Sequence, residues 1–170
     1  MQSTSPRYQE LLASTHRMQT QLYIDNVVYG EGKIMDGSLQ TKTSLFQGDI
    51  PTVGGAVSGE IYVSLLGVSS AEVAKKAELR PQVRLVGDSG EPSEWVAQGV
   101  YNVDKRSYNK QTGVLTLHGY DKMLATEQWY TGSVGTGGVE DITIVNRICT
   151  QVGIELDGET AAFFTASGRS

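Results

Sequence analysis

Residues 95–119, WVAQGVYNVDKR-SYNKQT-GVLTLHG, constrain the fold more than any other part of the chain. The outer runs are rich in β-branched and aromatic residues. The middle is polar and closes on Gly113, so the stretch reads as two antiparallel strands joined by a longer hairpin loop. In the second run Leu115 and Leu117 point to one side, while Val114, Thr116 and His118 point to the other. The run SGEIYVSLL alternates in the same way: Ile61, Val63 and Leu65 interleave with Glu60, Tyr62 and Ser64. Strands with one apolar and one partly wet face predict a mainly β fold with its core on one side.

The remaining segments fit around these strands. MQTQLYIDNVVYG predicts a strand, a tight turn at Asp25-Asn26 and a second strand, and GKIMDGSLQTKTSLF adds short strands punctuated by glycines. Ser5-Pro6 followed by RYQELLAS predicts a short capped helix, with Tyr8, Leu11 and Leu12 on the face that must dock. SSAEVAKKAELRPQVRL fits either a helix from Ser70 to Leu79 ended by Pro81 or an irregular excursion, with strand character resuming over Gln82–Val86. After His118 the period changes from two to 3.6, predicting a short helix from about Asp121. TGSVGTGG has the composition of a linker. Beyond it Val139, Ile142, Val145, Ile148, Cys149 and Val152 form one helical stripe that ends at Gly153 before a short strand.

The expected organisation is an N-terminal arm with a short helix (1–20), a β-barrel-like antiparallel domain with short helices (21–130) and a Gly-rich linker (131–138). A helix and strand over 139–170 would begin a second, incomplete domain. The class is mainly β, α+β. The stripe on 139–152 and the glycine linker favour a chain that is the front end of a longer protein.

Bulk properties exclude several functions. A formal charge of −5 gives no overall attraction to nucleic acid or anionic lipid. Cys149 is the single cysteine, so no internal disulfide forms. No segment has the apolar length of a membrane span and the N-terminus lacks a secretory signal core, so synthesis in a reducing cytoplasm is expected. With two histidines and one cysteine, neither C-x-x-C nor H-E-x-x-H zinc sites can be built, and no cofactor is expected. Gly132 and Gly137 have P-loop spacing, but Gly138-Val139 stands where Lys-Ser/Thr is required.

One stretch invites a catalytic reading. His118-Gly119-Tyr120-Asp121 places an imidazole near a carboxylate, and a strand-end histidine and an aspartate three residues later can meet. Asp121 also has a ready role as a helix cap, and no nucleophile motif accompanies the pair. The structural reading is therefore preferred. Trp95, Tyr101, Tyr108, Tyr120, Trp129 and Tyr130 can serve as a ligand platform, but core or subunit packing is the simpler role.

Three stretches together, VGGAVSGEIYVSLL (53–66), SEWVAQGVYNVDKR (93–106) and VLTLHGYDKMLATEQWY (114–130), resemble the N-terminal part of the baseplate hub, or tail-tip, proteins of long-tailed phages and prophages of Gram-positive bacteria. The resemblance covers roughly residues 20–157. It implies β-barrel-like domains that form a homotrimeric ring at the end of the tail tube, contact the distal tail protein and other tail proteins, and carry no catalytic residues, cofactor or metal. It implies location in the virion after synthesis in the host cytoplasm, with no specific nucleic-acid binding and no membrane insertion. It makes Gly119-Tyr120-Asp121 a strand-to-helix corner. Trp95, His118, Trp129 and Tyr130 join that corner as structural or subunit-contact residues. A carbohydrate- or cell-surface-binding β module is the alternative, as is the non-catalytic leader of a tail-associated cell-wall hydrolase.

Overall fold

A computed structural model of the chain describes residues 4–43, 57–88, 90–126, 141–156 and 158–167. Trp129, Tyr130 and the linker expected at 131–138 lie outside the described residues. The chain divides into two compact units, Met1–Asp121 and Lys122–Ser170.

The first unit opens with helix α1 (Pro6–Leu12) and continues through β1 (His16–Ile24), β2 (Val27–Tyr29), β3 (Gln40–Lys42), β4 (Glu60–Leu66), β5 (Glu78–Gly87), β6 (Val96–Ala97), β7 (Tyr101–Asn109) and β8 (Val114–Tyr120). These strands form one antiparallel sheet in the order β2-β1-β5-β7-β8-β4-β3, with β6 paired to β5. The fold is mainly β with short helices, as expected, but the sheet does not close into a barrel. The strands that would have to meet, β2 and β3, are three residues each. Much of the chain between them lies in turns, and isolated bridges Glu31–Ile34 and Ile34–Leu65 stand where a continuous ladder would be needed.

The core lies on one face. Leu22 and Ile24 of β1, Ile61, Val63 and Leu65 of β4, Leu79 of β5, Val103 of β7, and Leu115 and Leu117 of β8 form a single buried cluster. Each such side chain contributes about 1.5–3 kcal/mol on burial, which makes the alternation the dominant instruction in the sequence.

The undecided segment before β5 is irregular. Turns run through residues 70–76, and the Glu72 carboxylate accepts the Ser69 N–H at 2.8 Å. Val68, Val73 and Ala77 nevertheless enter the core cluster. The Arg106 guanidinium holds the excursion down by donating to the Ser70 and Val73 carbonyls. Three apolar side chains are too few for a helix face but enough to plug one end of a sheet.

β5 starts at Glu78 and runs straight through Pro81. A proline inside a central strand normally costs a ladder hydrogen bond. Here Pro81 lies opposite Leu22 of β1, and its carbonyl accepts from Gln98 N–H at 2.8 Å on the opposite edge. On that edge β7 pairs only with Glu78 and Leu79, and β6 only with Gln82 and Val83. The missing N–H falls in the break between them. The break reflects Gly99, whose φ is +123° and whose added Cβ would come within 2.9 Å of the Tyr101 hydroxyl oxygen. The run expected as one strand from Trp95 is therefore two strands, β6 and β7.

α1 is capped as its sequence implies: Ser5 Oγ accepts Tyr8 N–H, and Pro6 occupies the first turn. Leu11 is buried, while Leu12 is exposed. The helix docks through Leu11 above Gly87 of β5, where any Cβ would lie 2.7 Å from Leu11 Cδ2.

The second unit contains a 3₁₀ turn (Lys122–Thr126), α2 (Asp141–Val152) and α3 (Gly158–Ser167). Gly153, with φ +70°, closes α2, and Ile154 N–H returns to the Cys149 carbonyl at 2.9 Å. The strand expected after Gly153 does not form: residues 154–156 are irregular and α3 follows. Among the described residues no helix is long and apolar enough to cross a membrane.

Gly119 sets the closest approach in the sheet. It pairs with both Ile61 and Val103, and an added Cβ would lie 2.6 Å from the Asn102 carbonyl oxygen. Backbone cannot yield as a flexible side chain can. Gly119→Ala is expected to cost about 1–3 kcal/mol by overpacking, read as a lower midpoint in thermal or urea unfolding; an unchanged midpoint would contradict the tight crossing.

Candidate functional site

The antiparallel register of β4 and β8 pairs Glu60 with Tyr120 and Tyr62 with His118, while β3 sets Lys42 opposite Glu60. Residues paired in this way share a face, so all five side chains gather on the outer side of the sheet. The Tyr62 and His118 rings stack with centroids 4.1 Å apart and an interplanar angle of 11°. Tyr120 tilts against His118 at 4.6 Å, and Lys42 Nζ sits 5.3 Å from the centre of the Tyr62 ring. The Tyr62 hydroxyl donates to Glu60 Oε2 at 2.7 Å. His118 Nε2 lies 3.4 Å from the same oxygen, within ion-pair reach but out of line for a hydrogen bond.

The electrostatics follow from these contacts. The hydrogen bond from Tyr62 holds the Glu60 carboxyl below its ordinary 4.5, against an opposing effect of desolvation, with His118 and Lys42 adding to the lowering. Reciprocally, that hydrogen bond raises the Tyr62 hydroxyl above its ordinary 10.0, helped by desolvation and the Glu60 charge. A tyrosine nucleophile needs the opposite shift. Glu60 is thus an engaged carboxylate, and its partner hydroxyl is held protonated.

The structure separates the residues that sequence spacing had brought together. His118 meets Glu60, Tyr62 and Tyr120, all reached across or along the sheet; Asp121 is not among its contacts. The Asp121 carboxylate instead accepts the N–H of buried Gly59 at 2.9 Å, and Asp121 N–H donates to the Gly59 carbonyl at 3.0 Å. A Cβ at position 59 would lie 2.8 Å from Asp121 Oδ2. The corner therefore latches the end of β8 to the start of β4.

Trp95 precedes β6 and is half-buried, outside the core cluster. The Arg84 guanidinium lies 4.4 Å from its ring centre and also donates to Gln19 Oε1 at 2.7 Å. That face of the indole is already occupied by a cation. Tyr101 is a core residue whose hydroxyl donates to the Gln98 carbonyl at 3.0 Å. Among the described aromatics, Tyr101 is buried and Tyr108 is exposed on the distal part of β7, so these two do not share an exposed platform.

Sequence reasoning missed a pocket of ≈ 510 Å³ in the opening of the sheet, lined among others by Arg17, Met18, Thr20, Ile34, Met35 and Leu39. Its walls come from β1 and from the turns between β2 and β3, which no local pattern links. Among the described residues no group of three or more His, Cys, Asp or Glu side chains is placed to hold a metal ion. No protein-family model and no curated protein matches the chain.

Two outcomes are expected. Asp121→Ala leaves the buried Gly59 N–H without its acceptor and should cost about 1–3 kcal/mol, measured by urea unfolding; wild-type stability would refute the latch. Glu60, with its folded pKa depressed, contributes stability that is present above its unfolded pKa near 4.5 and is lost as pH falls through the lower folded value. Glu60→Gln and Tyr62→Phe should therefore flatten the loss of stability on the acid side of 4.5, checked by melting curves across that window.

Proposed function

We propose that the chain is a non-enzymatic structural module of a phage or prophage tail, of the baseplate hub or tail-tip kind. In this reading it acts by self-association into a ring at the end of the tail tube and contacts distal tail protein there. The observation that carries the reading is the placement of the three stretches resembling hub proteins. They include β4, β6 with β7, and β8, and β7, β8 and β4 are consecutive neighbours in the sheet. A resemblance spread over distant segments of sequence thus concentrates in one block of paired strands, as expected if the shared feature is a structural unit.

Two further observations support a role in assembly. Within the polar cluster on the outer face, the Glu60 carboxylate is engaged by the Tyr62 hydroxyl, which is held protonated. Among the described residues the sheet ends in β2 and β3, each paired on one side, and unblocked edges are natural sites of pairing between chains. A net charge of −5 suits the wall of a channel through which DNA must pass without sticking.

Light scattering on the full gene product is expected to give three times the chain mass. Co-migration with a distal tail protein should follow. A stable monomer at high concentration would overturn the ring.

A further inference from the structure

Among the described residues, the outer edge of β1 lacks a strand partner over much of its length. β1 pairs with β5 along its whole length, from His16 with Gly87 to Ile24 with Leu79. On its other edge β2 covers only Leu22, Tyr23 and Ile24. The two-residue turn at Asp25-Asn26 makes Ile24 and Val27 the hydrogen-bonded pair that closes the hairpin. Backbone groups alternate in direction along a strand, so those of Leu22, Thr20, Met18 and His16 all face the β2 side. Pro81 agrees with this alternation: it lies opposite Leu22 and directs its carbonyl away from β1, to Gln98. Among the described residues no backbone hydrogen bond reaches the outer edge of His16–Thr20.

This free edge borders the pocket. Met18 is 59% exposed beside it, and Ile34, Met35 and Leu39 contribute apolar surface to the same wall. Outward-facing peptide groups are complementary to an extended strand, whose main chain supplies the hydrogen bonds. The other end of the sheet supplies such a strand. All three residues of β3 are exposed, and among the described residues β3 pairs only with β4.

Each end also carries an exposed charged side chain. Lys42 of β3 has no carboxylate within ion-pair distance among the described residues. Glu31 stands beside the β1 edge, with its carboxylate 3.7 Å from Arg17 and 3.4 Å from Gln19 Nε2, and its side chain is 49% exposed. The lysine of one end and the accessible carboxylate of the other are complementary between copies.

The geometry points to a head-to-tail junction between copies of this chain, in which β3 of one adds to the free β1 edge of the next, Lys42 meets Glu31, and Met18 is covered. The junction rests on the self-association reading above and names its surface. A contact between unlike ends is heterologous: it closes into a ring when the rotation allows and otherwise grows as a filament.

The test uses light scattering on the full gene product over a concentration series. Met18→Pro removes an outward N–H and leaves the ladder to β5 intact, since edge strands tolerate proline at such positions. The expected result is a folded chain by circular dichroism that no longer assembles. Glu31→Lys and Lys42→Glu should each weaken assembly by about tenfold or more, and the double reversal should restore it, because the charges then match again. Amide exchange should slow at Met18 and Thr20 in the assembled wild type. If the wild type assembles and Met18→Pro assembles equally well, or the double reversal rescues nothing, the junction is wrong while self-association stands. A monomeric wild type overturns self-association itself, and the junction with it. If Met18→Pro fails to fold, the charge pair and the amide exchange decide.

Discussion

The register between β4 and β8 supports the rest of the first unit. Ile61, Val63 and Leu65 face Gly119, Leu117 and Leu115 on the inner side, while Glu60, Tyr62 and Ser64 face Tyr120, His118 and Thr116 on the outer side. A slip of one residue would exchange the two sets, exposing a row of fully buried side chains and burying a carboxylate and an imidazole. Hydrophobic burial makes that exchange costly, and two local devices hold the register at its end. Gly119 lets β7, β8 and β4 cross at a spacing no side chain would permit, and the reciprocal bonds between Asp121 and Gly59 close the last pair.

The outer cluster is a consequence of that register. Tyr62 and His118 stack because they are cross-strand partners, and Glu60 reaches both because it shares their face. In chemical terms the cluster quiets its members: the hydrogen bond that lowers the Glu60 carboxyl also raises the Tyr62 hydroxyl.

Much of the sheet was legible from residue pattern, because burial on one face imposes a period of two that survives in the sequence. The cap at Ser5, the turn at Asp25-Asn26 and the end of α2 at Gly153 were legible for a similar reason: each depends on a few adjacent residues. What the pattern concealed was non-local. Pro81 reads as a stop but lies inside β5, because the neighbouring strand is interrupted at that point. Val73 lies in an irregular excursion, yet it is fully buried, with Arg106, far along the chain, pinning its loop. His118 and Asp121 look like a pair at a separation of three, and the sheet gives each a different partner from β4 or its approach.

The sequence by itself determined the class of the fold, the inward set of side chains and the strand-to-helix corner, since these follow from periodicity and short-range backbone preference. Tertiary structure alone decided that the sheet stays open, that His118 belongs with Glu60, and that among the described residues β1 keeps a free edge over a pocket. Those features depend on which distant strands become neighbours and how far each ladder runs. Strand pairing is a long-range interaction with no fixed spacing along the chain, so no local window of residues encodes it.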